Sequence, residues 1–400
     1  MSAVVVFIIF AICLIIAIPI SISLGIVAVL PGAFDASFTA SAGYVIRSMV
    51  GGIDSFPLLA VPMFVLAGIL MAHGKISEKL FDVFVYFLGN KRAGIPCAVI
   101  ITCLFYGAIS GSAPATVAAV GSMTIPLLIE LGYEKDFSTA IVAVAGGLGV
   151  IIPPSIPFIM YAMATGESVS DLFLAGIVPG MMISALLIFY AYYYCRRHGE
   201  DREKIQAKMD QLKTKGFVNI LKESIWALLS PVIVLGCIYS GVASPTEAAV
   251  ISVFYSLFVS LFIYKSIKVK QIWGIMVEAM KTYAPILFIL ATSTAFSRVL
   301  TLMQVPQDVS AWIMTHFSNE IVLLLVINVV LLIVGMVMDT TPAILILSPI
   351  LLPIVEHVGM NPIHFGVMMI VNLAVGFVTP PVGVNLFVAS SLTNVPMMQI

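Results

Sequence analysis

Ala143-Val-Ala-Gly-Gly-Leu-Gly-Val-Ile-Ile-Pro153-Pro154 decides the fold, because the chain carries a second version of it, Met369-Ile-Val-Asn-Leu-Ala-Val-Gly-Phe-Val-Thr379-Pro380-Pro381. One ungapped offset of 227 residues pairs Pro153 with Pro380, Pro154 with Pro381, Gly149 with Gly376, Gly132 with Gly359 and Pro126 with Pro353. The chain is a duplicated membrane fold. Helix breakers that recur inside apolar segments at matching places in two halves mark a substrate or ion site.

Working outward, 61% of the 400 residues are hydrophobic and 10% are charged, with a mean hydropathy of +1.13, beyond the range of soluble domains. Apolar stretches at 4–30, 56–72, 172–195, 225–242, 248–264, 284–302 and 321–338 approach the ~20 residues of a spanning helix. Strand-type alternation is absent, which argues against a barrel. The start, Met1-Ser-Ala-Val, lacks a charged n-region, so 4–30 reads as the first membrane helix and not as a removable signal. The five cysteines are scattered without a Cys-x-x-Cys pair and read as packing residues.

Charge placement sets the topology. Eight of the 19 Lys and Arg residues lie between Arg196 and Lys222, which makes that linker cytoplasmic. The chain then crosses outward through 225–242 and returns through 248–264 to Lys265, Lys268, Lys270 and Lys281. Lys75, Lys79, Lys91, Arg92 and Lys135 fall on the same side, whereas their partners in the second half carry no Lys or Arg. Only Arg47 falls on the far side, and Arg298 lies within a membrane segment. Corresponding loops thus face opposite sides, giving an inverted-topology repeat. The segments around 41–54 and 268–281 are expected along the interface. The partner of 172–195 would begin near Gln399, so roughly one further helix, about 20 residues, is expected after Ile400.

Between 94 and 128, a first apolar arm meets Ser110-Gly-Ser-Ala-Pro114 and a second arm reaches Pro126. Both read as too short to cross, which predicts a re-entrant helical hairpin. Its partner at 324–353 breaks at Gly335-Met-Val-Met-Asp339-Thr-Thr-Pro342. Irregular backbone at membrane depth survives where protein or a water-filled cavity covers it, and it offers carbonyls to cations and half-helix amino ends to anions.

Arg298, in Ala291-Thr-Ser-Thr-Ala-Phe-Ser-Arg298, either binds a carboxylate bidentately or snorkels from a helix end. Asp339 either helps hold a cation or caps the returning arm. Asp54 and Glu247 read as first-turn residues favoured by the helix dipole. The five histidines lack metal-site spacing. There is no P-loop for ATP, and no Gly-x-Ser-x-Gly elbow or His-Glu-x-x-His pair of a hydrolase. Nothing points to nucleic acid.

Gly51-Gly-Ile-Asp-Ser-Phe-Pro-Leu-Leu-Ala-Val-Pro-Met-Phe-Val-Leu-Ala-Gly68, Gly111-Ser-Ala-Pro-Ala-Thr116, Ile152-Pro-Pro-Ser155, Ala243-Ser-Pro-Thr-Glu-Ala-Ala249 and Thr379-Pro-Pro-Val-Gly383 resemble the large membrane subunit of tripartite ATP-independent periplasmic (TRAP) transporters over essentially the whole chain. The resemblance implies an all-α elevator-type transporter in the bacterial inner membrane. It implies sodium-driven import of an organic acid such as a sialic acid or a C4-dicarboxylate. A periplasmic binding protein would deliver the substrate, and a separate small four-helix membrane subunit would accompany the large one within the lipid.

Carried over, one sodium site would involve Ser110, Ser112, Gly147, Val150 and Pro153, and a second Gly335, Asp339, Thr340, Gly376 and Thr379. Arg298, Ser155, Thr341 and Asn385 would meet the substrate. The repeats would span 1–195 and 223–400 around a linker at 196–222. Residues of about 1–50 and 223–281 would form a scaffold, and about 55–195 and 284–400 a moving transport domain. Two alternatives are a symporter for divalent anions that needs no binding protein and a membrane enzyme acting on lipid-linked substrates.

Overall fold

The computed structural model describes residues 2–35, 38–214, 216–316 and 319–400. The first half comprises α1 (Ala3–Ile15), α2 (Ile20–Phe34), α3 (Ala42–Ile53), α4 (Ala60–His73), α5 (Ile76–Leu88), α6 (Gly94–Ser110), α7 (Ala113–Glu130), α8 (Lys135–Gly146), α9 (Leu148–Ile151), α10 (Ile156–Thr165) and α11 (Val169–His198). The linker holds α12 (Arg202–Thr214). The second half comprises α13 (Phe217–Tyr239), α14 (Pro245–Phe258), α15 (Val269–Leu302), α16 (Val305–His316), α17 (Glu320–Val337), α18 (Thr340–His357), α19 (Pro362–Gly376) and α20 (Val384–Thr393). Among the described residues, nine helical stretches are long and apolar enough to cross a membrane. The chain is an all-α polytopic membrane protein.

The offset of 227 maps α7 onto α18 end to end, and α6, α8 and α10 onto α17, α19 and α20 within a few residues. Inverted repeats, two helical hairpins (α6–α7 and α17–α18) and two broken helices (α8–α10 and α19–α20) make up the architecture. Local chemistry places the restarts: Ser155, Asn361 and Ser168 cap the helices that follow by accepting backbone N–H bonds. Prolines at the first turns of α10 and α19 remove donors that would have no partner there.

The structure corrects several expectations. The stretch 4–30 is two short helices packed on each other, α1 and α2, because Ala17 turns the chain with a φ of 63° ahead of Pro19. The turn residues are themselves apolar, so hydropathy cannot register the break. The hairpin arms are also longer than read: α6 has 17 residues and α7 has 18, continuing through Pro126. Asp54 closes α3 instead of opening a helix. Glu247 does stand in the first turn of α14, in a capping box with Ser244. The stretch 41–54 forms the separate helix α3, whereas 268–281 forms the start of the 34-residue α15, unbroken through Pro285. His73, His198 and His357 end α4, α11 and α18, and His364 lies in the first turn of α19; the side chain of His316 lies outside the described residues.

The linker is a docked helix. Ile205, Met209 and Leu212 of α12 are buried, and α12 packs on α5. Glu200, whose side chain is 2% exposed, accepts from Ala93 N at 3.0 Å and Tyr133 Oη at 2.7 Å and pairs with Arg202. Burial, and then this bond to the Glu200 carboxylate, push the Tyr133 phenol above its ordinary pKa. The backbone N–H of Lys204 holds the Asp201 carboxyl below the usual carboxylate range.

The two halves interlock. The returning part of the first broken helix, α10, packs against α18 of the second hairpin, while α20 packs against α7 of the first. Tyr161 on α10 donates to Pro362 O at 2.7 Å, tying α10 to the start of α19. Helix α11 lies across the first break, where Gly176 lets it approach Ile151 O and Phe158.

Candidate functional site

Each Pro-Pro pair removes two helix N–H groups and so releases two carbonyls four residues back. In the first half these belong to Gly149 and Val150; in the second, to Gly376 and Phe377. Both Pro-Pro bonds are cis. Val150 O is recaptured by Ser155 Oγ at 2.6 Å, and Phe377 O by Asn385 N at 3.0 Å. The first broken helix thus keeps its irregular backbone in the interior with most of its groups satisfied, as a low-dielectric surrounding requires.

Each hairpin tip is pressed onto its break through glycine. A Cβ on Gly107 would lie 2.6 Å from Gly149 Cα, and one on Gly149 would lie 2.9 Å from Ser112 O. A Cβ on Gly376 would fall inside the backbone of Gly335. Cross-bonds fix the same junctions: Ile156 N donates to Gly111 O at 3.2 Å, and Val382 N donates to Met336 O at 3.1 Å. Gly111 ends α6 with a φ of 61°, the left-handed conformation that glycine takes at least cost.

At the first tip, Ser110 Oγ lies 3.0 Å from Thr116 Oγ1, which donates to Ser112 O at 2.8 Å. Ser110 and Ser112 are therefore brought to Gly149, which precedes Val150 in the chain, while Pro153 stands four residues on, at the break itself. A Cβ on Gly147 would face Ala374 O at 3.9 Å, on the side where the two broken helices pack, and Gly147 O accepts from Val150 N at 3.3 Å. Gly149 and Thr116 are the residues missed, and the offset itself pointed to Gly149 as the partner of Gly376. This tip is buried, with Ser110 at 2% and Ser155 at 0% exposure.

The second junction is more open. Gly335, Gly376, Asp339 and Thr340 stand together, but Asp339 Oδ1 accepts from Thr340 N at 2.7 Å and so caps α18. Asp339 and Pro380 are exposed, and Thr379 Oγ1 donates back to Val375 O of its own helix at 2.8 Å. Among the described residues, each junction gathers hydroxyl and carbonyl oxygens without a fixed cation, the donor chemistry that suits a hard monovalent cation.

Arg298 is exposed on α15 and lines a cavity of about 310 Å³. Gly51, Gly52, Ser55, Thr294 and Ser297 supply its polar side, and Met163, Ala164, Leu345 and Pro349 contribute apolar wall from α10 and α18. Gly52 seats α3 directly against Thr294, since a Cβ there would lie 2.7 Å from Thr294 Cβ. No ion pair engages Arg298 among the described residues, so its guanidinium is available to an anion.

The other residues named for substrate do not line this cavity. Ser155 caps α10, and Thr341 is buried behind the second tip at 4% exposure. Asn385 is fully buried and donates to Ala143 O at 3.0 Å, joining α20 to α8; its Oδ1 has no partner among the described residues. Sequence reasoning also missed Asn328 and Asn372, which bond between α17 and α19; polar residues inside apolar helices were the available signal.

Comparison with known proteins places this arrangement. The family described as "Tripartite ATP-independent periplasmic transporter, DctM component" matches residues 7–400. The isethionate TRAP transporter permease DctMQ of Oleidesulfovibrio alaskensis is 44% identical over 391 residues, 98% of this chain and 60% of that one. This chain therefore spans under two thirds of that relative. The C4-dicarboxylate TRAP transporter large permease DctM of Pseudomonas aeruginosa is 40% identical over 86% of this chain and 79% of its own. The 2,3-diketo-L-gulonate TRAP transporter large permease YiaN of Escherichia coli is 38% identical over 87% and 80%.

Two solved transporters share the fold at 14% identity and a TM-score of 0.61 each. YdaH of Alcanivorax borkumensis is matched over 90% of this chain and 84% of its own, and MtrF of Neisseria gonorrhoeae over 93% and 87%. The relatives are named as permeases and not as enzymes. The chain belongs to the large permease (DctM) family of TRAP transporters.

Proposed function

We propose that this permease imports a small organic anion across the bacterial inner membrane, driven by sodium, with the 196–222 linker on the cytoplasmic side. The observation that carries the reading is the pair of tip-to-break junctions, Ser110–Ser112 against Gly149–Val150 and Gly335 against Gly376. Paired oxygen-rich junctions at the breaks of an inverted repeat suit two coupling cations. Arg298, at the cavity between α3, α15, α10 and α18, supplies the positive charge for the substrate.

The names of relatives support an acid as cargo: a C4-dicarboxylate, a keto-sugar acid and, in isethionate, a sulfonate. A sialic acid belongs to the same chemical class. A periplasmic binding protein delivers the anion, and a small membrane subunit completes the transporter. Transport proceeds as an elevator, with both hairpins and both broken helices moving against α1, α2, α3, α13, α14 and the start of α15. The boundary between 281 and 284 falls inside the continuous α15, so that motion requires α15 to flex at Pro285.

The test is uptake by the complete complex in liposomes with an imposed sodium gradient. Uptake should collapse without the gradient; gradient-independent uptake would sink the coupling. Uptake that needs no binding protein would favour a self-sufficient symporter.

A further inference from the structure

We propose that Asn328 and Asn372 are positioning residues that hold the second hairpin in register with the second broken helix. The inference rests on the cation reading of the tips and assigns this pair to the second site alone. Asn372 Nδ2 donates to Asn328 Oδ1 at 2.7 Å and to Met368 O at 2.8 Å, while Asn328 Nδ2 donates to Leu324 O at 2.7 Å. The pair therefore joins α17 to α19 and leaves each amide a carbonyl of its own helix. Between Ile321 and Val337, α17 has no other polar side chain. An amide in such a helix is disfavoured in lipid unless it is bonded within the protein.

The location explains its use. Two helical turns beyond Asn328 stands Gly335, and one turn beyond Asn372 stands Gly376, where the two backbones touch. A slip of one turn, about 5.4 Å, would bring a side chain into that contact and part the tip from the break. The partners in the first half are Ile101 and Ala145, which cannot form this bond. There the tip is braced by the Ser110, Thr116 and Ser112 bonds and by Tyr106 Oη donating to Gly68 O at 3.0 Å. The two sites are thus held by different means.

The test measures uptake by the reconstituted complex against sodium concentration for wild type, Asn328→Leu, Asn372→Leu and the double variant. Half-saturation by sodium should rise about three- to tenfold, in the range of one interhelical hydrogen bond in a bilayer. The rate at saturating sodium should hold, and the double variant should be no worse than either single one. If a leucine variant fails to insert, Asn372→Ser and the sodium-dependent thermal shift of the purified complex give the same readout. Unchanged half-saturation with less folded protein would mean that the pair serves the fold only. A wild type indifferent to sodium would overturn the coupling and this inference together; a sodium-dependent wild type with unaltered variants overturns the inference alone.

Discussion

At the scale of the residue, the junctions depend on what glycine lacks. Gly376→Ala would drive a methyl group into the Gly335 backbone, and overpacking of this kind costs about 1–3 kcal/mol. Uptake should be lost, with a smaller loss of thermal stability. Gly236→Ala is the control, since a Cβ there meets nothing within 4 Å, and both are read by uptake assay and thermal midpoint. Arg298→Ala should abolish uptake while the protein stays inserted and folded; normal uptake would remove Arg298 from the substrate path. The Pro-Pro and Gly positions were legible because breakers inside apolar helices are conspicuous. Gly147 and Gly149 were not separable, because which glycine a tip presses on depends on the packing of helices that meet only in the folded chain.

Among the elements, α12 was the least legible. Its charges mark a linker, but the burial of Ile205, Met209 and Leu212 against α5 is a tertiary fact. Glu200 anchors it, and Glu200→Ala should cost about 2 kcal/mol by leaving Ala93 N and Tyr133 Oη without their acceptor, lowering the thermal midpoint by a few degrees. The raised Tyr133 pKa has a defined sign. Its contribution is full below the ordinary phenol value of about 10 and falls at higher pH, where the unfolded chain loses a proton that the folded chain keeps. Tyr133→Phe should flatten that part of the alkaline stability profile. The long α15 makes a different demand: Pro285 leaves Lys281 O without its helical donor. If α15 flexes there, Pro285→Ala should slow uptake several-fold while leaving thermal stability equal or higher.

For the whole molecule, the sequence by itself determined the membrane class, the duplication and the opposed orientation of its halves. These follow from quantities that sum along the chain: apolar length, the recurrence of breakers and the side on which Lys and Arg accumulate. Only the tertiary structure decided which glycines seat each tip on its break, that α10 seats on α18 and α20 on α7, and that the cavity at Arg298 excludes Ser155 and Asn385. Those outcomes rest on close backbone approach between segments far apart in sequence. The missing Cβ of a glycine and the free carbonyl beside a proline permit such contacts, but neither carries a mark in the sequence that names its partner.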